Sequence, residues 1–547
     1  MTWFIVLTVM SFTLQLARPT GWLGSDDAGY YSAAEFVIKC ETIQRLHHHY
    51  ARTAMILPIA VSLAVFGDCT WAVALPTFAA SIGCLILVAL LGRLLWGWWE
   101  GLCAATLLSV VPYFRVLSTT AYPDLPACFW STAAAVLAVV AFRTASQWRF
   151  AIAAIGAGLC TAIAISTKVF AAPVVLFILA IGVFWSEKAR RFRWTWCVAV
   201  GVGIVLGLGA DALANLGTSG DAMFNLRAHL SSQSEAAATG TQVIGDRPLA
   251  SILWQRAMLP FRLGDSGWGL IGAAFWPVVL GSCLLNRTTR FLAGWALAVF
   301  LPLAMFPISL KNGWELFPHF HGRHLITAMI PFTLCLAWMV ARGFERFASP
   351  RMATRCWPVI PLAGLGFFAL SANDIGGFRN RDTQRIGEAI RRFVVSYPFA
   401  GDREIFMTPS TYWRFRILFP PELRARLRVA AGDDSPTWWR DTTVDIVERR
   451  EPLPSPDQTY LIATPVQLRG ESEPWDYDVA LPRGDLEAWQ RADTLLAFTR
   501  TAHQSVQITD DSAEQTPFLL LVGGDDHAPR YVAGASQAST SPYRLSD

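Results

Sequence analysis

Ser25-Asp26-Asp27-Ala28-Gly29-Tyr30-Tyr31 follows an apolar run that ends at Leu16. The succession of these two stretches decides the fold class. Two adjacent carboxylates just beyond an apolar segment are costly unless they face water, a cavity or a bound molecule. The run before them starts at Trp3 and lacks the basic head and small-x-small cleavage site of a leader peptide. It reads as an uncleaved first membrane span, with the acidic stretch at its mouth.

Composition extends this reading outward. Of 547 residues, 53% are hydrophobic and 16% charged, with mean hydropathy +0.37. An ordinary soluble chain has about a quarter of its residues charged. The deficit lies in the first two thirds, and charge gathers after about Asp374. The expected fold is a polytopic α-helical membrane protein with a C-terminal soluble α/β domain. The net charge of +4 is too small to argue for nucleic acid. The ten cysteines form no CxxC and lie mostly in apolar runs, as small packing residues do.

A hydrocarbon core needs about 20 mostly apolar residues per helix. Candidate spans run over 3–18, 71–92, 101–117, 124–142, 150–166, 170–185, 195–214, 268–285, 290–309, 324–341 and 356–371, about eleven in all. The run 55–66 is too short to cross, contains Pro58, and reads as re-entrant or interfacial. Basic residues orient the set. With the N-terminus inside, the inner loops hold thirteen Lys and Arg, including Arg93, Arg143, Arg149 and Arg342; the short outer loops hold Arg115, Lys168, Lys311 and Arg323. That puts the acidic stretch, a second long loop and the C-terminal domain on the non-cytoplasmic side.

The expected divisions are a membrane domain over 1–371, an α/β domain over 372–523 and a disordered tail over 524–547. Interfacial helices are expected in outer loops 19–70 and 215–267. In the first, Ser25 can cap a helix whose opening turn holds Asp26 and Asp27. In the α/β domain, Thr383–Val395 reads as a helix, and Glu404–Met407, Thr459–Ala463 and Phe518–Val522 read as short buried strands.

Several polar side chains fall on the outer face under that orientation. Asp26 and Asp27 diverge by about 100° on a helix, so they are unlikely to share one job. One reads as a general base, its neighbour as a holder, although an acidic pair at a helix start is equally a solvated cap. Tyr30 lies on the adjoining surface. Asp124, in Tyr122-Pro123-Asp124, opens the fourth span, where it could also be an ordinary cap. Lys168 closes the fifth span, where it could hold a phosphate or snorkel to headgroups. Arg52 could hold a phosphate oxygen. The preceding His47-His48-His49 cannot converge on one metal from a regular helix. His319, His321, Arg323 and His324 lead into the tenth span and suit an anionic headgroup or a diphosphate, or simply an interfacial anchor. Asp211 reads as structural or cavity-facing. Carboxylates and cations on one face suit attack by an acceptor hydroxyl on a group carried by a lipid phosphate.

The acidic pair, Arg52 leading to Pro58 and Leu63-Ala64-Val65-Phe66-Gly67, Tyr122-Pro123-Asp124 and Thr167-Lys168 resemble, in their order, the GT-C superfamily of polytopic glycosyltransferases. The similarity covers about residues 1–371. It is strongest to the dolichyl-phosphate-mannose mannosyltransferase-like group, which includes aminoarabinose and galacturonic-acid transferases of lipid A and the RgtA/B/C/D-like domain. The resemblance implies inverting transfer from a polyprenyl-phosphate sugar donor to a lipid, glycan or protein acceptor outside a bacterial inner membrane. It assigns the base to Asp26, or else Asp27, the second acidic position to Asp124 and the basic first-loop position to Arg52. Many members have Lys-Pro-Pro where this chain has Arg52-Thr53-Ala54. The resemblance leaves a divalent metal open and names no other cofactor. A flippase for a lipid-linked sugar and a non-catalytic member of the same fold remain as alternative readings.

Overall fold

The computed structural model describes residues 20–23, 26–43, 48–181, 190–231, 249–261, 268–305, 307–309, 315–316 and 322–347; beyond these it describes 404–407, 409–430, 450–451, 459–463, 504–508 and 518–522. The chain forms two compact units. The first comprises Met1–Gly21, Ala33–Val65 and Trp71–Arg379; the second comprises Trp22–Ser32, Phe66–Thr70 and Asn380–Asp547.

The first unit is helical. Among the described residues, six helices are long and apolar enough to cross a membrane: Thr70–Leu95, Asp124–Arg143, Gln147–Thr167, Trp194–Ser219, Arg287–Met305 and Gly322–Gly343. A seventh is reached if Trp98–Ser109 and Pro112–Ser118 count as one span bent by 74°. The bend falls where sequence requires it, because Pro112 has no N–H and its ring disfavours a helical residue before it. Among the described residues, the expected spans over 170–185 and 268–285 hold shorter apolar helices. One is a 3-10 turn Val169–Ala171 followed by Pro173–Ala180, and the other is Gly269–Ala274 followed by Phe275–Leu284. The expected spans over 3–18 and 356–371 lie outside the described residues, as do the Thr383–Val395 helix and the 524–547 tail. The eleven-span reading is therefore met in six or seven places.

The stretch expected to be re-entrant or interfacial is a helix, Thr53–Phe66, whose Val61, Val65 and Phe66 face outward. In the second long loop, residues 224–231 and Leu249–Ala257 are helical, and Leu226, Leu230 and Trp254 are exposed. The Asp26–Ile38 helix is buried without interruption from residue 27 to 34, where a helix lying half in water would alternate.

Helix packing in this unit relies on small residues. Gln147–Thr167 packs along both Asp124–Arg143 and Arg190–Ser219. A Cβ on Gly158 would stand 2.1 Å from the Val200 carbonyl oxygen, and one on Gly203 2.1 Å from that of Ile155. No side chain fits at this crossing, so the two backbones touch. Bulkier residues fill the other side of the unit, where Trp268, Phe275, Trp295 and Phe300 are fully buried. The Trp194–Ser219 helix instead turns Val198, Val202, Val205 and Leu213 outward, a surface that matches hydrocarbon rather than water.

The second unit holds a six-stranded mixed sheet. Its order is Arg450–Glu451, Leu427–Ala430, Glu404–Met407, Thr459–Ala463, Phe518–Val522, Gln504–Ile508. The first four strands run parallel, and the last two join antiparallel.

Candidate active site

The sequence-expected residues fall into two groups, one in each unit. In the first unit, Pro123 precedes the Asp124–Arg143 helix, so Asp124 stands in its opening turn. Lys168 follows the last residue of Gln147–Thr167. These helices are antiparallel neighbours, which brings the two residues to the same end. The Lys168 ammonium donates to the Asp124 carboxylate in a buried ion pair. Arg323, in the short turn Gly322–Leu325, places its guanidinium over the Tyr122 ring at 5.0 Å. Phe170 lies 5.4 Å from the Lys168 ammonium and meets the His324 ring edge-on at 4.9 Å. A hydrogen bond between Cys128 and Thr327, 3.3 Å long, ties Asp124–Arg143 to the helix Ile326–Phe347.

Burial pulls the Lys168 ammonium below the ordinary lysine range; Asp124 opposes this, and the charges of Arg323 and Arg52 add to the pull. Two further cations therefore act on the Lys168 ammonium that Asp124 holds. Such a corner has a surplus of positive charge and suits an anion. Arg52 lies between the short helix His48–Ala51 and Thr53–Phe66 and is buried. Close in sequence to Arg52, the His48 ring stacks with His229 at 6.4 Å and lies tilted against His49 at 4.1 Å. Burial, then the charges of Arg52 and His49, push His229 down to about 3. His229 is thus neutral at ordinary pH. Asp211 has a structural place beside this group: its carboxylate accepts from Thr53 Oγ1 (2.5 Å), Asn225 Nδ2 (3.0 Å) and Asn215 Nδ2 (3.2 Å).

In the second unit, Asp26 and Asp27 open the Asp26–Ile38 helix. Their environments differ. Asp27 is 1% exposed and accepts from the backbone N–H of Leu23 (2.6 Å) and of Ala28 (3.0 Å). Asp26 is part-exposed. The divergence of neighbours on a helix therefore gives one carboxylate to the local backbone and leaves the other nearer the surface. Tyr30 is fully buried. Ser25, His319 and His321 lie outside the described residues.

Sequence reasoning gave no role to Tyr122, Phe170, His229 or Asn225. Tyr122 is part of the Tyr-Pro-Asp motif and Phe170 stands two residues after Lys168, but nothing in a linear reading places a ring beneath Arg323 or beside His324. Among the described residues, no group of three or more His, Cys, Asp or Glu is placed to hold a metal ion.

A multi-pass helical membrane protein with an anion-suited corner at the ends of its spans is the class these features define. Residues 55–210 match the family described as dolichyl-phosphate-mannose-protein mannosyltransferase. No curated protein sequence matches the chain. Among solved structures, the fold resembles ArnT from Cupriavidus metallidurans bound to undecaprenyl phosphate. The TM-score is 0.55 at 12% identity, over 95% of this chain and 97% of that one. The apo state of ArnT gives 0.53 at 10% identity, over 95% and 96%. The oligosaccharyltransferase of Archaeoglobus fulgidus in complex with zinc and sulfate gives 0.51 at 12% identity, over 95% and 73%. At these identities the likeness is one of fold. The family match covers residues 55–210, and with these likenesses it makes the chain similar in fold to glycosyltransferases of the GT-C type.

Proposed function

We propose that this protein is an inverting membrane glycosyltransferase that moves a sugar from a polyprenyl-phosphate donor to an acceptor on the extracytoplasmic face. The observation that carries the reading is the buried Lys168–Asp124 pair with Arg323 and Arg52 acting on the same ammonium. A phosphate is the anion that a donor of this class carries, and one structural neighbour was solved with undecaprenyl phosphate bound. Lys168, Arg323 and Arg52 would hold that phosphate, with Asp124 fixing the ammonium. As the sugar–phosphate bond breaks, negative charge grows on the leaving oxygen. Preset cations in a low-dielectric surround stabilise that charge more than water does.

Asp26 takes the general-base role in this reading. It removes the proton of an acceptor hydroxyl as that oxygen attacks the anomeric carbon from the face opposite the phosphate. The bond to the acceptor forms, the bond to phosphate breaks, and the configuration inverts. Asp27 supports the turn that presents Asp26. The acceptor is a lipid, glycan or protein, and the sugar is a hexose or pentose.

The test is mass spectrometry of membrane lipids and surface glycans from cells with the gene, without it, and with Asp26→Asn. The expected result is one sugar-bearing species that is lost on deletion and stays lost, by at least a hundredfold, with Asp26→Asn at normal membrane abundance. Wild-type amounts of that species in the Asp26→Asn strain would remove the mechanism. Movement of a lipid-linked sugar across proteoliposomes without acceptor modification would favour a flippase.

A further inference from the structure

We infer that Arg416 and Arg424, from the far end of the chain, are positioning residues that fix the helix turn bearing Asp26. This rests on the reading of Asp26 as the base. The argument stays within the second unit, to which residues 22–32, 66–70 and the segment around 412–424 all belong.

The turn is held on both sides by one short stretch of chain. Ahead of it, the Trp22 indole N–H donates to the Arg414 carbonyl at 2.6 Å. Behind it, Arg416 Nη2 donates to Ser32 Oγ at 2.9 Å. Ser32 in turn donates to the Ala28 carbonyl, also at 2.9 Å. Ala28 donates its own N–H to Asp27 Oδ1 at 3.0 Å. A relay of hydrogen bonds therefore runs from Arg416 through Ser32 into the first helical turn. The other guanidinium nitrogen is used as well, since Nη1 donates to the Trp413 carbonyl at 3.0 Å. The same guanidinium lies over the Tyr31 ring at 4.8 Å and the Tyr412 ring at 5.4 Å. Arg416 is 8% exposed.

Tyr31 is fixed from its other end. Its hydroxyl donates to Asp68 at 2.9 Å, and its ring meets Trp22 edge-on at 5.9 Å. Asp68 is itself gripped by Arg424, through an ion pair to the carboxylate and a bond from Nη2 to the Asp68 carbonyl of 2.9 Å. Two planar guanidinium forks thus bracket one tyrosine, using hydrogen bonds on one side and ring stacking on the other. A planar, always-charged fork holds direction as well as distance, which an ammonium on a flexible stem does not. Linked hydrogen bonds strengthen one another, so such a network is worth more than its separate bonds. A general base must be held within a fraction of an ångström of its proton. The sheet-bearing unit therefore supplies part of the framework of the catalytic turn.

The experiment uses the full chain in lipid nanodiscs and in cells. Three quantities are read for Arg416→Ala, Arg416→Lys, Arg424→Ala and Tyr31→Phe: amide hydrogen exchange by segment, affinity for undecaprenyl phosphate, and the amount of the sugar-bearing species that gene deletion removes. With Arg416→Ala, exchange over 26–32 rises at least tenfold while that of 124–143 is unchanged. The sugar-bearing species falls tenfold or more, and the undecaprenyl phosphate affinity stays within twofold. Arg416→Lys restores part of both losses, because it keeps a cation over Tyr31 but not the fork. Arg424→Ala behaves like Arg416→Ala. Tyr31→Phe, a variant that keeps the ring and deletes only the hydroxyl, lowers product about threefold and loosens the same segment. Unchanged exchange over 26–32 in Arg416→Ala and Tyr31→Phe overturns the inference; so does exchange that rises throughout the chain in Tyr31→Phe. If Asp26→Asn keeps wild-type product while Arg416→Ala still loosens 26–32, the base assignment has failed and the bracing stands.

Discussion

The corner at Lys168 and the turn at Asp27 both bury a charge, and they do so in opposite ways. Lys168 meets its counter-ion 44 residues away, on a separate helix. Asp27 is satisfied by the N–H groups of Leu23 and Ala28 in its own segment. One charge depends on two helices being in register; the other depends on a single turn. The first kind of site is lost when tertiary packing shifts, whereas the second survives as long as its local helix does.

The widest gap between the two should show on removing one partner. Lys168→Met leaves the Asp124 carboxylate buried beside fewer cations and is expected to cost about 3–5 kcal/mol in unfolding free energy. Adding Asp124→Asn should return most of that loss, so denaturant unfolding of the single and double variants measures the coupling; equal losses in both would show that the two charges are not coupled. Asp27→Ala deprives two N–H groups of their acceptor and is expected to cost about 1–3 kcal/mol. Asp26→Asn, in contrast, should stay within about 0.5 kcal/mol of the parent, since Asp26 is part-exposed and substitutions on the surface side are small. A large loss for Asp26→Asn would erase the distinction between the neighbours.

A gentler effect concerns the histidines beside Arg52. Folded His229 stays neutral down to about 3, while the unfolded chain takes up a proton near 6.5. Its contribution to stability is therefore complete above 6.5 and is lost as the pH falls below that value. The melting temperature should decline from pH 6.5 toward pH 4, and His229→Gln should flatten that decline; an identical slope in the variant would place the proton elsewhere.

The sequence disclosed elements whose pattern is local. Apolar length located the six long helices, and the runs Glu404–Met407, Thr459–Ala463 and Phe518–Val522 are strands at those limits. Acidic residues behind a potential cap located the helix start at Asp26. Continuity was harder to read. Apolar content alone does not register that Pro112 breaks one span by 74° or that a 3-10 turn before Pro173 shortens another. Site residues followed the same rule. Asp124, Lys168 and Arg323 could be named because few ionised groups fall at the outer ends of the spans, whereas Tyr122 and Phe170 are apolar-looking rings whose part depends on a partner distant in sequence. Arg416 and Arg424 sit in a stretch with no evident motif, almost 400 residues from the serine and tyrosine they touch.

The bare crossing of Gly158 and Gly203 has a mechanical consequence. Carbonyl oxygens of one helix rest against the Cα surface of the other, with no intervening side chain to deform. The outward-facing helix can then neither rotate nor translate by less than a full repeat without a collision. A slip of one turn would carry Asp211 about 5.4 Å along the axis and strand Thr53 and Asn225 without their acceptor. Two hydrogen atoms in place of side chains thus set the depth of a carboxylate that lies eight residues further along.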